Sequence, residues 1–149
     1  GKINFDSVII SAFDETLKSI TTSLIYTDVT PKKTYFITLN QWFDESLLNE
    51  DSSQNLYFPS INKKNFDEFK KEYFKKYSSE PNQISLLGFD LVGLIFYLSK
   101  VNDFQLNNKV FDQKNTFKGK IGLFEIEEKR IKHVLNFYKV ENNKFKKIF

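Results

Sequence analysis

The order of apolar and polar positions divides the first part of the chain into a strand, a helix and a second strand. Residues 5–12 contain a β-branched run, and the segment 34–39 forms another. Between them, apolar residues recur at helical spacing, at Leu17, Ile20, Leu24 and Ile25. This alternation predicts a parallel βαβ unit, in which Asp14 caps a helix over 15–26.

The middle of the chain predicts a short strand and two helices. The strand starts at Leu56 and is expected to stop at Pro59, because proline has no N–H for the strand ladder. The first helix carries aromatic residues on one face, at Phe66, Phe69, Tyr73 and Tyr77. The second helix, over 83–100, is almost wholly apolar, which predicts that it is buried. Gly88 and Gly93 lack side chains and would let another backbone approach it closely.

The last part of the chain predicts mainly antiparallel strands. One short helix is expected within 104–115. Strand-like runs then cover 121–126, 134–141 and 144–148, separated by charged or Asn-rich turns. The pattern as a whole predicts the α/β class, with a parallel βαβ unit, additional helices and antiparallel C-terminal strands.

Composition favours a folded chain with an aromatic core. The 149 residues include 17 Phe and 7 Tyr, and the formal net charge is +3. The basic residues are spread over several segments, which argues against a nucleic-acid partner. The lysine-rich helix over 66–77 also carries acidic residues, so it is interpreted as an amphipathic helix docked on a core. No cysteine is present, which excludes disulfides and thiolate chemistry.

The residue types offer little catalytic chemistry. His133 is the single histidine, and its position predicts a surface residue at the start of a strand. One histidine without cysteine is a poor basis for a transition-metal site. Carboxylate pairs such as Asp14 and Glu15 fall at predicted helix starts or turns, and Gly119 and Gly122 do not form a phosphate loop. We therefore expect no enzyme activity, no metal and no cofactor.

The order of these elements resembles the C-terminal half of the type I periplasmic binding proteins, the leucine- or branched-chain amino-acid-binding group of extracellular ligand-binding receptors. The most specific stretch is 86–92, which resembles the long apolar helix of that family. Further similar runs lie at 5–10, 36–44, 56–59, 66–81, 117–126 and 134–145. Residues 42–44 and the apolar helix are most similar to the penicillin-binding-protein activator-like branch of lipoproteins.

The resemblance implies part of a hinge-closing receptor. Residues 1–149 would be the C-terminal portion of a two-lobed periplasmic-binding-protein-like domain. About 1–58 and 117–149 would belong to the second lobe, and about 59–116 would form a helical part of the first. The resemblance also implies an N-terminal lobe outside this chain and a periplasmic location, with or without a lipid anchor.

A ligand site is also implied by the resemblance. The family's contacts fall at Phe13 after the first strand, at Asn40, Gln41 and Trp42 after the second, and at Ile84. Asn40 stands where amino-acid binders of the group use an acidic residue, so free α-amino acids are doubtful ligands. For Phe13 and Trp42, packing in an aromatic core is the alternative role.

Two functions remain open at this point. The first is a substrate-binding-type receptor of an ABC transporter, which holds a small ligand in a cleft between two lobes and has a membrane transporter as its partner. The second is a regulatory lipoprotein that contacts a cell-wall synthase without transport. A ligand that stabilises the protein would favour the first, and retention of a synthase by ligand-free protein would favour the second.

Overall fold

A computed structural model describes residues 4–39, 42–105, 108–112 and 114–149. The chain divides into two compact units, Gly1–Ser60 with Asn136–Phe149, and Ile61–Leu135. Segment 117–149, which the resemblance assigns to one lobe, is divided between them, because residues 117–135 belong to the second unit. The assignment of either unit to a lobe of a larger protein stays a prediction.

Both units combine helices with strands. In chain order the elements are β1 (Ser7–Ile10), α1 (Asp14–Tyr26), β2 (Tyr35–Thr38), β3 (Leu56–Ser60), α2 (Lys63–Tyr77), α3 (Gln83–Val101), β4 (Asn115–Lys118), β5 (Leu123–Glu127), β6 (Arg130–His133), β7 (Asn136–Glu141) and β8 (Lys144–Lys147). The predicted α/β class is confirmed by this order.

The sheet of the first unit has the strand order β1, β2, β3, β7, β8. β1 and β2 are parallel, with a register that runs from Ser7 opposite Tyr35 to Ile10 opposite Thr38. Parallel neighbours need a crossover, and α1 supplies it. Leu17 on α1 is fully buried, which follows from the helical spacing of the apolar residues. The predicted βαβ unit is confirmed.

Two local predictions about this unit are wrong. Asp14 does not cap α1: the N-cap position is Phe13, whose backbone is extended, while Asp14 already lies in the first turn with a φ of 49°. β3 does not stop before Pro59 but continues to Ser60. β2 pairs with β3 at Leu56 and Tyr57, so the proline lies where β3 pairs with β7, and a missing N–H is tolerated there.

The C-terminal strands complete the same sheet. β7 is antiparallel to β3 and to β8, which confirms the predicted antiparallel strands. Asn142 and Asn143 turn the β7–β8 hairpin with φ values of 51° and 57°, as the Asn-rich turn predicts. Hydrogen bonds from Lys139 and Lys146 lower the pKa of Glu141 to about 2.

The second unit contains α2, α3 and the antiparallel sheet β4–β5–β6. α2 begins at the Asn62 side chain, which accepts a hydrogen bond from the Asn65 N–H, and ends before Ser78, which is left-handed. Phe69 is buried, as the amphipathic pattern predicts, whereas Tyr77 at the end of the helix is exposed. The short helix expected within 104–115 is a single 3-10 turn, Asn108–Phe111.

α3 is the element whose burial the sequence predicts wrongly. Its buried residues lie four apart, at Leu86, Asp90, Leu94 and Leu98, and the last two pack with Val110 and Ile126. The other sides of the helix remain exposed although they are apolar. A helix that is apolar on nearly all sides is expected to be buried on all sides, but its sequence does not show which segment covers each side. None of the described helices is both long enough and apolar enough to cross a membrane.

No other backbone among the described residues lies against the two glycines of α3. A Cβ atom added at Gly88 would meet nothing within 4 Å, and one added at Gly93 would lie 3.4 Å from the Phe117 Cζ atom. The predicted close approach of a backbone is therefore wrong for the described residues. At Gly93 an aromatic side chain takes the space instead.

The turn between β4 and β5 is held by the buried carboxylate of Asp90. This side chain is 3% exposed and accepts hydrogen bonds from the backbone N–H groups of Lys120, at 2.7 Å, and Ile121, at 3.0 Å. The Gly119 N–H closes the turn on the Gly122 carbonyl at 2.8 Å. A Cβ on Gly119 would collide with the Asp90 carboxylate, so the glycine is needed for space.

His133 is not the surface residue at a strand start that the sequence suggests. It is the last residue of β6, and its ring stacks on Phe124 at 4.3 Å between centroids. Its Nε2 atom is buried without a hydrogen-bond partner among the described residues. Burial lowers the pKa of His133, and the charge of Asp90 opposes this shift more weakly.

Replacing Asp90 by asparagine should destabilise the protein. An amide offers one acceptor and one donor where two backbone N–H groups now find acceptors, so one buried N–H loses its partner. We expect the free energy of unfolding to fall by about 2 kcal/mol for Asp90→Asn, measured by urea denaturation. Asp28→Asn, the same change at an exposed left-handed position, is the matched control and should change it little. Equal stability of the two variants would contradict the role given to Asp90.

Stability should decrease in mild acid through His133. Because the folded pKa lies below the ordinary value of 6.5, the unfolded chain binds a proton first as the pH falls. The folded state thus loses stability as the pH falls through that value, until the folded ring is itself protonated. His133→Phe should lose less unfolding free energy than the wild type between about pH 7 and about pH 5. Identical pH profiles of the two proteins would show that burial does not shift the histidine.

Candidate functional site

The candidate site lies at the carboxyl end of the parallel strands in the first unit. Ile10 and Thr38 are the last residues of β1 and β2 and lie opposite one another. The Thr38 hydroxyl donates a hydrogen bond of 2.9 Å to the Ile10 carbonyl, and this bond is buried. Because the two strands are parallel and end together, the loops that follow them emerge at the same end of the sheet.

The first loop brings Phe13 to this end. Ala12 is buried beside the strand end, whereas the Phe13 side chain is 46% exposed. The Phe13 carbonyl accepts a hydrogen bond of 3.1 Å from the Leu17 N–H, which starts α1. The Phe13 side chain makes no cap hydrogen bond. The loop thus presents an aromatic ring next to a helix N-terminus.

The second loop contains a strained aromatic pair. Trp42 and Phe43 have φ values of 48° and 59°, in the left-handed region, where bulky residues are uncommon. Each such residue is strained by about 1–3 kcal/mol, which persists only when the surroundings fix it. Phe43 is fixed by a cluster of rings in edge-to-face geometry: Tyr138 at 4.9 Å, Phe145 at 5.4 Å and Phe58 at 6.1 Å. Trp42 next to it is only partly buried.

The structure describes only some of the predicted ligand residues. Phe13 and Trp42 follow neighbouring parallel strands and therefore belong to the same end of the sheet. Asn40 and Gln41 lie outside the described residues. Ile84 belongs to the first turn of α3 in the second unit, and its side chain is also outside the description. The five-residue ligand site therefore stays a prediction.

Two residues that position this site were not predicted from the sequence. Thr38 ties the two strand ends together, and Phe43 anchors the second loop to the sheet. The sequence contains a signal for each of them: Thr38 is a threonine at the end of a β-rich run, and Phe43 is one member of an aromatic pair. Their partners, Ile10 and Tyr138, lie far away in sequence, so neither role can be derived from local pattern.

The chemistry at this end of the sheet suits binding. The exposed ring of Phe13 and the partly buried ring of Trp42 can pack against a small ligand. Within the described part of the chain, no group of three histidine, cysteine or acidic residues is placed to hold a metal ion. The single histidine, His133, belongs to the second unit.

The order of strands, the parallel βαβ crossover and the antiparallel return match part of the fold of a type I periplasmic binding protein. Among solved structures, the extracellular ligand binding receptor from Desulfohalobium retbaense DSM5692 is similar, with a TM-score of 0.67 and 15% sequence identity. The similarity covers 96% of this chain and 26% of that receptor, so the chain spans about a quarter of its length. No protein-family model and no curated protein matches the chain.

This similarity confirms the fold that the sequence resemblance implies. At 15% identity it establishes the fold alone and does not transfer a ligand. That structure is of an extracellular ligand binding receptor. The binding role of the present chain therefore depends on its own site.

Paired alanine substitutions should distinguish the buried ring of Phe43 from the partly buried ring of Trp42. Phe43 is buried among three rings, so Phe43→Ala should lower the free energy of unfolding by about 3 kcal/mol. Trp42 is partly buried, so Trp42→Ala should lower it by about 1 kcal/mol or less. Urea denaturation followed by circular dichroism measures both values. A loss at Trp42 as large as that at Phe43 would identify Trp42 as a core residue.

Proposed function

We propose that this chain is part of a non-catalytic, two-lobed solute-binding receptor. In this proposal a small ligand binds where β1 and β2 end, between the first unit and an N-terminal lobe that residues 1–149 do not contain. Closing of the two lobes around the ligand would be the functional motion. The protein would act in the periplasm, with or without a lipid anchor, and deliver its ligand to an ABC-type membrane transporter.

The observation that carries the proposal is the register of β1 and β2. It places the loop containing Phe13 and the loop containing Trp42 at one end of a parallel sheet. Ligands of open parallel sheets bind at this end. The strain at Trp42 and Phe43 supports the same location, since strained backbone persists where the surroundings fix it and concentrates at functional sites.

The residues also favour a class of ligand. Phe13 offers an exposed ring, and Trp42 a partly buried one, either of which can pack on an apolar group or on the face of a sugar. The family resemblance puts Asn40 where amino-acid binders of the group use an acidic residue, and an uncharged amide would hold an ammonium group less well than a carboxylate does, so a free α-amino acid is an unfavourable ligand. A neutral ligand with one apolar face fits this combination.

A ligand screen on the protein at its natural length tests the proposal. We expect a sugar or another neutral solute to raise the melting temperature by several degrees, because a ligand at 100 times its Kd stabilises the folded state by about 2.7 kcal/mol. Trp42 is the single tryptophan of residues 1–149, so its fluorescence should change on binding. A Trp42→Phe variant shows which part of the signal comes from this ring.

Two alanine variants connect the binding to this site. Phe13→Ala and Trp42→Ala should each weaken the ligand by about tenfold, which corresponds to about 1.4 kcal/mol of binding free energy. Tyr26→Ala is the control, because Tyr26 is an exposed aromatic residue at the opposite end of α1. Unchanged affinity in both site variants would exclude this site. The receptor function would be excluded if the ligand-free protein retained a cell-wall synthase and no compound in the screen raised the melting temperature.

A further inference from the structure

A polar cavity lies at the amino end of the parallel strands in the first unit. It has a volume of about 390 Å³, which is within the range of small-molecule sites. Lys33 and Thr34 line it from the turn directly before β2, and Asn55 lines it from the position directly before β3. The candidate site follows the other end of β2, about 16 Å along the strand from Thr34 to Leu39. The cavity is therefore not part of the candidate site.

The strand register brings three segments together around this cavity. β2 and β3 are parallel, so the turn before β2 lies beside the residue before β3. β7 is antiparallel to β3 and places Lys139 opposite Tyr57, and both of these residues line the cavity. The Asn55 N–H donates a hydrogen bond of 2.7 Å to the Val140 carbonyl, which ties the start of β3 to β7. The walls are thus positioned by the sheet itself.

The described residues that line the cavity include three lysines and no carboxylate. Lys32 and Lys33 are exposed and form no ion pair with a described residue. Lys139 is half-buried and pairs at 2.8 Å with Glu141, which lies outside the wall and also pairs with Lys146. An ammonium group has three N–H donors, so this pair does not exhaust Lys139. A cleft lined by one sign of charge concentrates ions of the opposite sign, so the cavity favours an anion.

Thr34 adds a second, independent observation. It is 3% exposed, it lines the cavity, and its Oγ1 atom is buried without a hydrogen-bond partner among the described residues. Most buried hydroxyls have a partner, because an unsatisfied one has lost its hydrogen bonds to water. An acceptor oxygen of a bound anion would supply the partner that the described chain does not.

The wall favours a phosphate group over a carboxylate. Planar carboxylates are typically held by the paired N–H groups of arginine, and no arginine is among the described lining residues. Lysine is a common phosphate ligand that acts as a point charge. A phosphomonoester carries about 1.5 to 2 negative charges at pH 7 and three strong acceptor oxygens, which suits three ammonium groups and a hydroxyl.

The tyrosines of the wall favour a ligand with a ring attached to the phosphate. Tyr35 is 59% exposed, and Tyr57 contacts it edge to face at 5.7 Å. An exposed tyrosine ring can pack on the face of a sugar. Among the described lining residues, Pro31 alone has a purely aliphatic side chain. This small apolar surface is unsuited to the acyl chains of a phospholipid.

We propose that this cavity binds a small, soluble phosphomonoester with a ring-shaped body, such as a sugar phosphate. The ammonium groups of Lys32, Lys33 and Lys139 and the hydroxyl of Thr34 bind the phosphate oxygens. The ring of Tyr35 packs on the body of the ligand. This site does not depend on the proposed receptor, because every residue that forms it belongs to the first unit.

Calorimetric titration of the natural-length protein with glucose 6-phosphate tests the site. We expect one saturable site with a Kd below about 1 mM. Lys32→Gln/Lys33→Gln should weaken binding by about tenfold or more, because two charge-assisted hydrogen bonds are lost. The matched control is Lys75→Gln/Lys76→Gln, an adjacent exposed pair on α2, which should change the Kd by less than about twofold. The proposal would be overturned by the absence of saturable binding, or by an equal loss in both double variants, which would indicate an adventitious ion only.

A second phosphate and two further variants test the body of the ligand and the location of the site. Methyl phosphate has no ring, so it should bind several-fold more weakly than glucose 6-phosphate, and Tyr35→Ala should remove most of this difference. Trp42→Ala should not change the Kd of glucose 6-phosphate, because Trp42 follows the other end of β2. Equal affinity for the two phosphates, weaker binding by Trp42→Ala, or preferential binding to vesicles of phosphatidylcholine and phosphatidic acid would each overturn the proposal.

Thr34→Val distinguishes a ligand contact from a structural role. Valine has nearly the same shape without the hydroxyl, so the variant removes an unsatisfied buried group. The melting temperature of the ligand-free protein should therefore stay the same or rise, whereas the affinity for glucose 6-phosphate should fall by about fivefold. Unchanged affinity would overturn the proposal, because the hydroxyl would then have no part in the site.

Discussion

The parallel pairing of β1 with β2 is the constraint on which the candidate site depends. Parallel neighbours cannot be joined by a tight turn, so α1 must cross over the sheet and return the chain to the same starting side. Both strands then end together, and the Thr38 hydroxyl closes on the Ile10 carbonyl. A shift of one residue would break this bond and turn the buried side chains of β2 to the other face. The position of Phe13 and Trp42 follows from this register.

In the second unit, the buried carboxylate of Asp90 fixes the arrangement of the elements, as the parallel register does in the first unit. Asp90 would be costly in an apolar helix if it were unpaired, but two backbone N–H groups of the β4–β5 turn satisfy it. The same contact fixes α3 against the antiparallel sheet, and Lys120 in that turn also pairs with Glu72 of α2 at 2.7 Å. Because this polar anchor sets which side of α3 faces the sheet, it also sets which apolar side of the helix remains exposed.

The local sequence pattern was enough to predict the helices and strands, but it was not enough to predict which of them contact one another. The βαβ unit was predictable because its strands are β-branched and the apolar residues of α1 have helical spacing. The burial of α3 was overestimated, because a helix that is apolar on all sides carries no information about which chain covers it. The Asp90 carboxylate binds the N–H groups of Lys120 and Ile121, which lie 30 and 31 residues away along the chain, and Phe43 packs on rings near the C-terminus. Phe13 and Trp42 were placed through the family resemblance, whereas the anchors Thr38 and Phe43 required the structure.

The intact mass of the protein isolated from its source cells tests the two-lobed receptor most directly. In the proposed receptor, a ligand cleft needs a second lobe. This requirement predicts a polypeptide about twice as heavy as these 149 residues or heavier, since a second lobe is a domain of comparable size. A native mass near 17.6 kDa would contradict the receptor, because residues 1–149 would then contain no second lobe to close the cleft.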